Sequence, residues 1–195
     1  MYGWKQWSRN DIVYGIIIPV AVVLLIIMVW RLPSILGGGF GAVKGIVMEL
    51  GELVVIAGVP LVLGLVWNRW AGGASGFLLG SIYALYQANT FRGFPGSGTI
   101  LIAYVLSAML IGYIAGALNR GSSSFLRMII SAVTAGTMGG IILFGMFQLS
   151  SANVVTGLYG FGLTVLTRTA VGAVVAAVSK GFALYGVTAD IKSEP

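Results

Sequence analysis

The chain has 195 residues, of which 58% are hydrophobic and only 8% charged, a composition outside the usual range of soluble domains. Cysteine and histidine are both absent, which excludes disulfides, thiolate chemistry and most transition-metal sites. The net charge of +6 is better explained by basic residues at helix ends than by nucleic-acid binding. We therefore expect a protein of the lipid bilayer with no metal, no cofactor and no nucleic-acid partner.

The first predicted transmembrane span covers about residues 11–31. Its apolar stretch from Ile12 to Trp30 is too long for the core of a signal peptide and lacks a small-residue cleavage site. Trp4 and Trp7 precede the stretch, and aromatic side chains of this kind settle at the headgroup layer. We expect this segment to be retained as a membrane helix.

Further apolar segments follow, each close to the length of about 20 residues that a membrane helix needs. They predict spans at about residues 42–67, 72–89, 99–118, 125–149 and 157–180. The expected fold class is therefore an all-α integral membrane protein, a single transmembrane domain over residues 1–195 with about six helices. We expect a location in the cell membrane as a multi-pass protein.

Six spans place both termini on the same side of the membrane. Cations are more frequent on that side, which carries Lys5, Arg9, Arg69, Arg120, Arg127, Lys180 and Lys192. The opposite side has Arg31, Lys44 and Arg92. Because cytoplasmic loops of membrane proteins carry an excess of Lys and Arg, both termini are predicted to be cytoplasmic.

Small residues recur at every fourth position along four of the predicted spans. The stripes are Gly72, Gly76, Gly80, Ala84 and Ala88; Ala108, Gly112 and Gly116; Ala132, Gly136 and Gly140; and Ala173, Ala177 and Gly181. Such faces allow helix backbones to approach closely in a membrane. Each stripe is read either as packing within one bundle or as a docking face for a partner helix.

The predicted outer loops carry most of the polar groups that are suited to a specific contact. Aromatic and amide side chains at an outer helix end offer stacking and hydrogen bonds to a flat heterocycle. The candidate substrate-binding residues are Tyr86, Gln87, Asn89, Arg92, Asn153 and Tyr159. The alternative is that these residues only solvate the loops.

Three charged residues lie near the middle of the membrane in predicted spans, where each is costly unless it faces a partner or a wet cavity. At about 1.5 Å per residue, Glu49 and Glu52 lie about 11 and 16 Å below the outer end of the second span. Arg168 in the last span lies at a similar depth, about 12 to 17 Å. We expect Arg168 to point into the bundle and to contact Glu52, or Glu49 if the helices are staggered. The pair is read as a structural ion pair, as the floor of a polar cavity, or as a site of proton coupling.

The run "GGASGFLLGSIYALY", a polar loop, and then "ILIAYVLSAMLIGYIAGALNR" with a short basic turn resemble the substrate-capture (S) components of energy-coupling factor transporters. The similarity covers mainly residues 72–145 and consists of glycine patterning. It implies a six-helix subunit that binds a vitamin or another micronutrient from outside. The implied partners are a transmembrane coupling protein and cytoplasmic ATPases.

Three classes of function were compared on these features. The first is the substrate-binding subunit that the resemblance implies. The second is a non-catalytic accessory subunit of a larger membrane complex, in which the stripes and the ion pair serve only packing. The third class, an enzyme, is not expected, because only Glu49, Glu52 or tyrosines would be available for acid–base chemistry. No catalytic residue is therefore assigned.

Overall fold

A computed structural model of the chain describes residues 51–90, 97–150 and 157–184, together with Ile17 and Ala21. All regular structure in these ranges is helical, which confirms the all-α class for this part of the chain. A π-helical turn, Leu53–Gly58, precedes five α-helices: α1, Val59–Val66; α2, Arg69–Thr90; α3, Ser97–Asn119; α4, Phe125–Gln148; and α5, Gly157–Leu184. The first predicted span, apart from two residues, and the start of the second lie outside the described residues.

Three of these helices, α3, α4 and α5, are long and apolar enough to cross a membrane. They contain 23, 24 and 28 residues, or about 34 to 42 Å at 1.5 Å per residue, against a hydrocarbon core of about 30 Å. Helix α2 has 22 residues but is less apolar, because it contains Arg69, Gln87, Asn89 and several serines and glycines. The described chain is thus a plausible multi-pass membrane protein, and six spans remain a prediction.

Helix α2 begins three residues before the predicted start at Gly72 because Asn68 caps it. The Ala71 amide donates to Asn68 Oδ1 at 2.8 Å, and the Gly72 amide donates to the Asn68 carbonyl at 3.1 Å. An asparagine in this position satisfies amides that have no partner within the helix. Helix α5 continues past the predicted end at Lys180 to Leu184, and the added residues, 181–184, include no proline.

The second predicted span is not a uniform α-helix. The Val59 amide donates to the Val54 carbonyl, a bond across five residues, and Pro60 follows directly in α1. Proline has no amide hydrogen, and its ring collides with the carbonyl four residues earlier, here that of Ile56. The wider π-helical turn just before Pro60 accommodates the backbone hydrogen bond that proline cannot donate.

The glycine stripes of α2 and α3 face each other. A Cβ added at Gly72 would meet the backbone of Gly112, and one added at Gly112 would meet the carbonyl of Gly72. A Cβ at Gly76 would likewise meet the Ala108 carbonyl. The two backbones therefore touch, which any larger side chain on this face would prevent.

A second close contact joins α4 and α5. A Cβ at Gly136 would meet the Arg168 carbonyl, and one at Gly172 would lie 2.6 Å from the Ala132 carbonyl. The hydroxyls of Thr137 and Thr169 also share a hydrogen bond of 2.9 Å across this interface. Three of the four predicted stripes thus pack within the bundle.

The fourth stripe is different, because Ala173 and Ala177 on α5 are exposed. A Cβ at Gly181 would find no atom within 4 Å. This exposed face of α5, formed by Ala173, Ala177 and Gly181, has no close neighbour among the described residues.

Candidate functional site

An ion pair inside the bundle joins the π-helical region to α5. Arg168 Nη2 lies 2.8 Å from Glu52 Oε1, so the contact expected from the matching depths of the two residues is confirmed. Glu49, the alternative partner, lies outside the described residues. The pair connects segments 116 residues apart in sequence.

Two tyrosines complete this site. The Tyr83 hydroxyl donates to Glu52 Oε2 at 2.9 Å, so each carboxylate oxygen accepts a hydrogen bond. The Tyr104 ring packs edge-on against Tyr83 with a centroid distance of 4.9 Å, and Phe147 packs edge-on against Tyr104 at 5.7 Å. The charged pair is therefore bordered by an aromatic wall from α2, α3 and α4. We refer to Glu52, Arg168, Tyr83 and Tyr104 as the polar cluster.

Arg168 is nearly buried, with 4% of its surface exposed, yet its hydrogen bonding is incomplete. Its Nη1 donates to the Thr164 carbonyl at 3.3 Å, whereas its Nε–H has no hydrogen-bond partner among the described residues. Buried donors without a partner are uncommon in folded proteins. The Glu52 side chain is 23% exposed, so the cluster is more open on the carboxylate side than on the guanidinium side.

The local sequence explains how these groups meet. Glu52 comes directly before the π-helical turn, and such turns occur frequently at functional sites because they alter the direction of neighbouring side chains. Gly136 on α4 allows α5 to approach at the level of Arg168. The sequence analysis missed Tyr83 and Tyr104, whose only signal was a phenol inside an apolar span, where buried hydroxyls usually find a partner.

The predicted loop site is only partly described. Tyr86, Gln87 and Asn89 belong to the last turns of α2, but their side chains lie outside the described part, as do Arg92 and Asn153. Tyr159 lies in the first turn of α5 and is 83% exposed. The structure therefore does not bring Tyr159 to the polar cluster, and the pocket beneath the outer loops remains a prediction.

The polar cluster offers two kinds of chemistry. It holds opposite charges away from lipid, and it presents a buried guanidinium N–H to an oxygen acceptor such as a carbonyl or carboxylate. No protein-family model matches the chain, and no curated protein or solved structure matches it. The functional argument therefore rests on this geometry and on the sequence pattern.

Proposed function

We propose that this protein is a membrane-embedded substrate-binding subunit for uptake of a vitamin-like small molecule, with the polar cluster as the floor of its binding site. The observation that carries the proposal is the Arg168 Nε–H, which is buried beside the partly exposed Glu52 and has no hydrogen-bond partner within residues 51–90, 97–150 and 157–184. Ionisable groups inside membrane spans are costly and commonly mark substrate or ion pathways. A ligand with an acceptor oxygen would satisfy the unused donor.

The resemblance of residues 72–145 to S components supports this role and suggests which other subunits take part in uptake. In such a system the chain itself binds the ligand, and a separate coupling protein and cytoplasmic ATPases drive uptake. The candidate loop residues, Arg92 among them, would then contribute to binding from the outer side.

The proposed topology has six spans with both termini in the cytoplasm. In support, Lys180 donates to the Ser123 carbonyl at 2.8 Å, and Gly116 at the end of α3 contacts Arg69 at the start of α2. These contacts gather Arg69, Arg120, Arg127 and Lys180 at one end of the bundle, as expected for a cytoplasmic face.

Single cysteines at Ser97 and Ser123 test this topology, because the chain has no cysteine of its own. The two positions flank α3, so an impermeant thiol reagent added to intact cells should label Ser97→Cys and spare Ser123→Cys until the membrane is opened. Labelling of both from outside would contradict the topology. Labelling of Ser123→Cys alone from outside would mean that the protein has the opposite orientation in the membrane.

Ligand binding is tested on the intact protein purified in mild detergent. We expect denaturation to release a small heterocyclic molecule, detectable by mass spectrometry, at close to one molecule per chain. The double variant Glu52→Gln/Arg168→Met removes both charges together and is expected to stay folded while it loses this molecule.

The matched control is Thr167→Met, which changes the neighbouring position on α5 and should retain the ligand. Retention of the ligand by the folded double variant would place the binding site elsewhere. Purification with several other membrane subunits and without any small molecule would favour the accessory class instead.

The exposed face of α5 is compatible with the accessory role. Small residues on a membrane helix that touch no other part of the described chain are suited to close contact with another helix. The same face would also serve a substrate-binding subunit that docks on a coupling protein. The face is therefore suited to a membrane partner in either role.

A further inference from the structure

A groove lies at the cationic end of the bundle, where α3 ends and α4 begins. Its volume is about 390 Å³, and its lining on α4 extends from Ser124 to Thr134, about 15 Å along the helix. Helices α3 and α4 are long and apolar enough to cross a membrane, so in a spanning arrangement their connection would lie at a membrane boundary. The groove would then start at the headgroup level and continue into the depth of the acyl chains.

The lining of this groove includes both aliphatic and polar residues. Leu118, Leu126 and Ile130 form an aliphatic wall, and 42 to 69% of each is exposed. Ser131 and Thr134 also line the groove. A lining of this kind suits a molecule that has a long apolar part and a polar end.

The charged end of the groove is formed by Arg127. Its Nε donates to the Leu118 carbonyl at 3.1 Å, which holds the guanidinium across the gap between α3 and α4. Arg69, Arg120 and Lys180 lie at the same end of the bundle. The only acidic residue in the described ranges, Glu52, lies far from this end in the polar cluster, so no described carboxylate neutralises these cations.

We propose that this groove binds an anionic phospholipid, with Arg127 at the phosphate and the aliphatic wall along the upper acyl chains. Basic pockets between membrane helices on the cytoplasmic side are suited to anionic headgroups. The apolar wall favours a lipid over a free phosphate, because a soluble anion would leave Leu118, Leu126 and Ile130 uncovered. This inference rests on the proposed topology but not on the proposed ligand or its binding site.

The test uses the full chain, purified from a membrane that contains phosphatidylglycerol and phosphatidylcholine in equal amounts. Native mass spectrometry should show one phosphatidylglycerol molecule retained in preference to phosphatidylcholine. Arg127→Gln should lower that retention about fivefold, the effect of about one cationic contact at a membrane surface. Arg120→Gln is the matched control, since it removes the same charge from the same end without touching the groove, and it should change retention less than twofold.

A second variant leaves the charge in place. Thr134→Phe places a larger side chain at the deeper end of the groove, and we expect it to displace the lipid although Arg127 is intact. Millimolar glycerol 3-phosphate should not release the lipid, and its release would show that a soluble anion suffices. Equal losses in the two arginine variants, equal retention of the two lipids, or full retention in Thr134→Phe would each overturn the proposal.

Discussion

Arg168→Met is expected to lower the free energy of unfolding of the detergent-purified protein by about 3 to 5 kcal/mol. The variant leaves the Glu52 carboxylate inside the bundle without its ion-pair partner, although the carboxylate still accepts a hydrogen bond from the Tyr83 hydroxyl. Glu52→Gln alone should also be costly, because an arginine cannot lose its charge and Arg168 would face a neutral amide. Removing both charges together should cost less than the sum of the two single changes, since neither survivor is left charged.

A double-mutant cycle measured by reversible unfolding tests this coupling. Thr167→Met serves as the control for a methionine on α5 and should change the unfolding free energy by less than about 0.5 kcal/mol. Additive effects of the two single variants would mean that the ion pair does not contribute to stability. Arg168 would then be available as a ligand anchor without a structural role.

Gly112→Ala is expected to have the second largest effect, a loss of about 1 to 3 kcal/mol in the free energy of unfolding. The new methyl group would meet the backbone of Gly72, which has no side chain that can rotate away. Helices α2 and α3 would therefore have to separate along their whole contact. Thermal unfolding followed by circular dichroism measures the change.

The matched control is Gly145→Ala on α4, because a Cβ at Gly145 meets no atom within 4 Å. Alanine favours helix over glycine by about 0.5 to 1 kcal/mol, so this variant should be slightly more stable than the parent protein. If Gly112→Ala proved as stable as Gly145→Ala, the close backbone contact between α2 and α3 would be wrong.

The two experiments on the polar cluster separate stability from function. A strong coupling between Glu52 and Arg168 is expected whether the pair is structural or forms a binding site. Loss of a bound molecule from the folded double variant is expected only for a binding site. The unfolding cycle therefore measures the stability of the ion pair, and the ligand assay measures its role in binding.

The amino-acid sequence by itself determined the helical class and the approximate ends of α3, α4 and α5. Length and hydropathy are properties of one stretch of chain, so they are readable without knowledge of its neighbours. The contact between Arg168 and Glu52 was also predictable, because two buried charges of opposite sign at one depth gain most by facing each other.

The tertiary structure decided which side of each helix meets another helix. All four small-residue stripes have the same period, yet those around Gly72, Gly112 and Gly136 are internal, while the face with Ala173 and Ala177 is exposed. The packing of the helices also places Tyr83 and Tyr104 in the polar cluster. It likewise allows Arg127 to donate to the carbonyl of Leu118. Periodicity specifies a face of a helix, but the identity of the neighbour on that face depends on how the whole bundle packs.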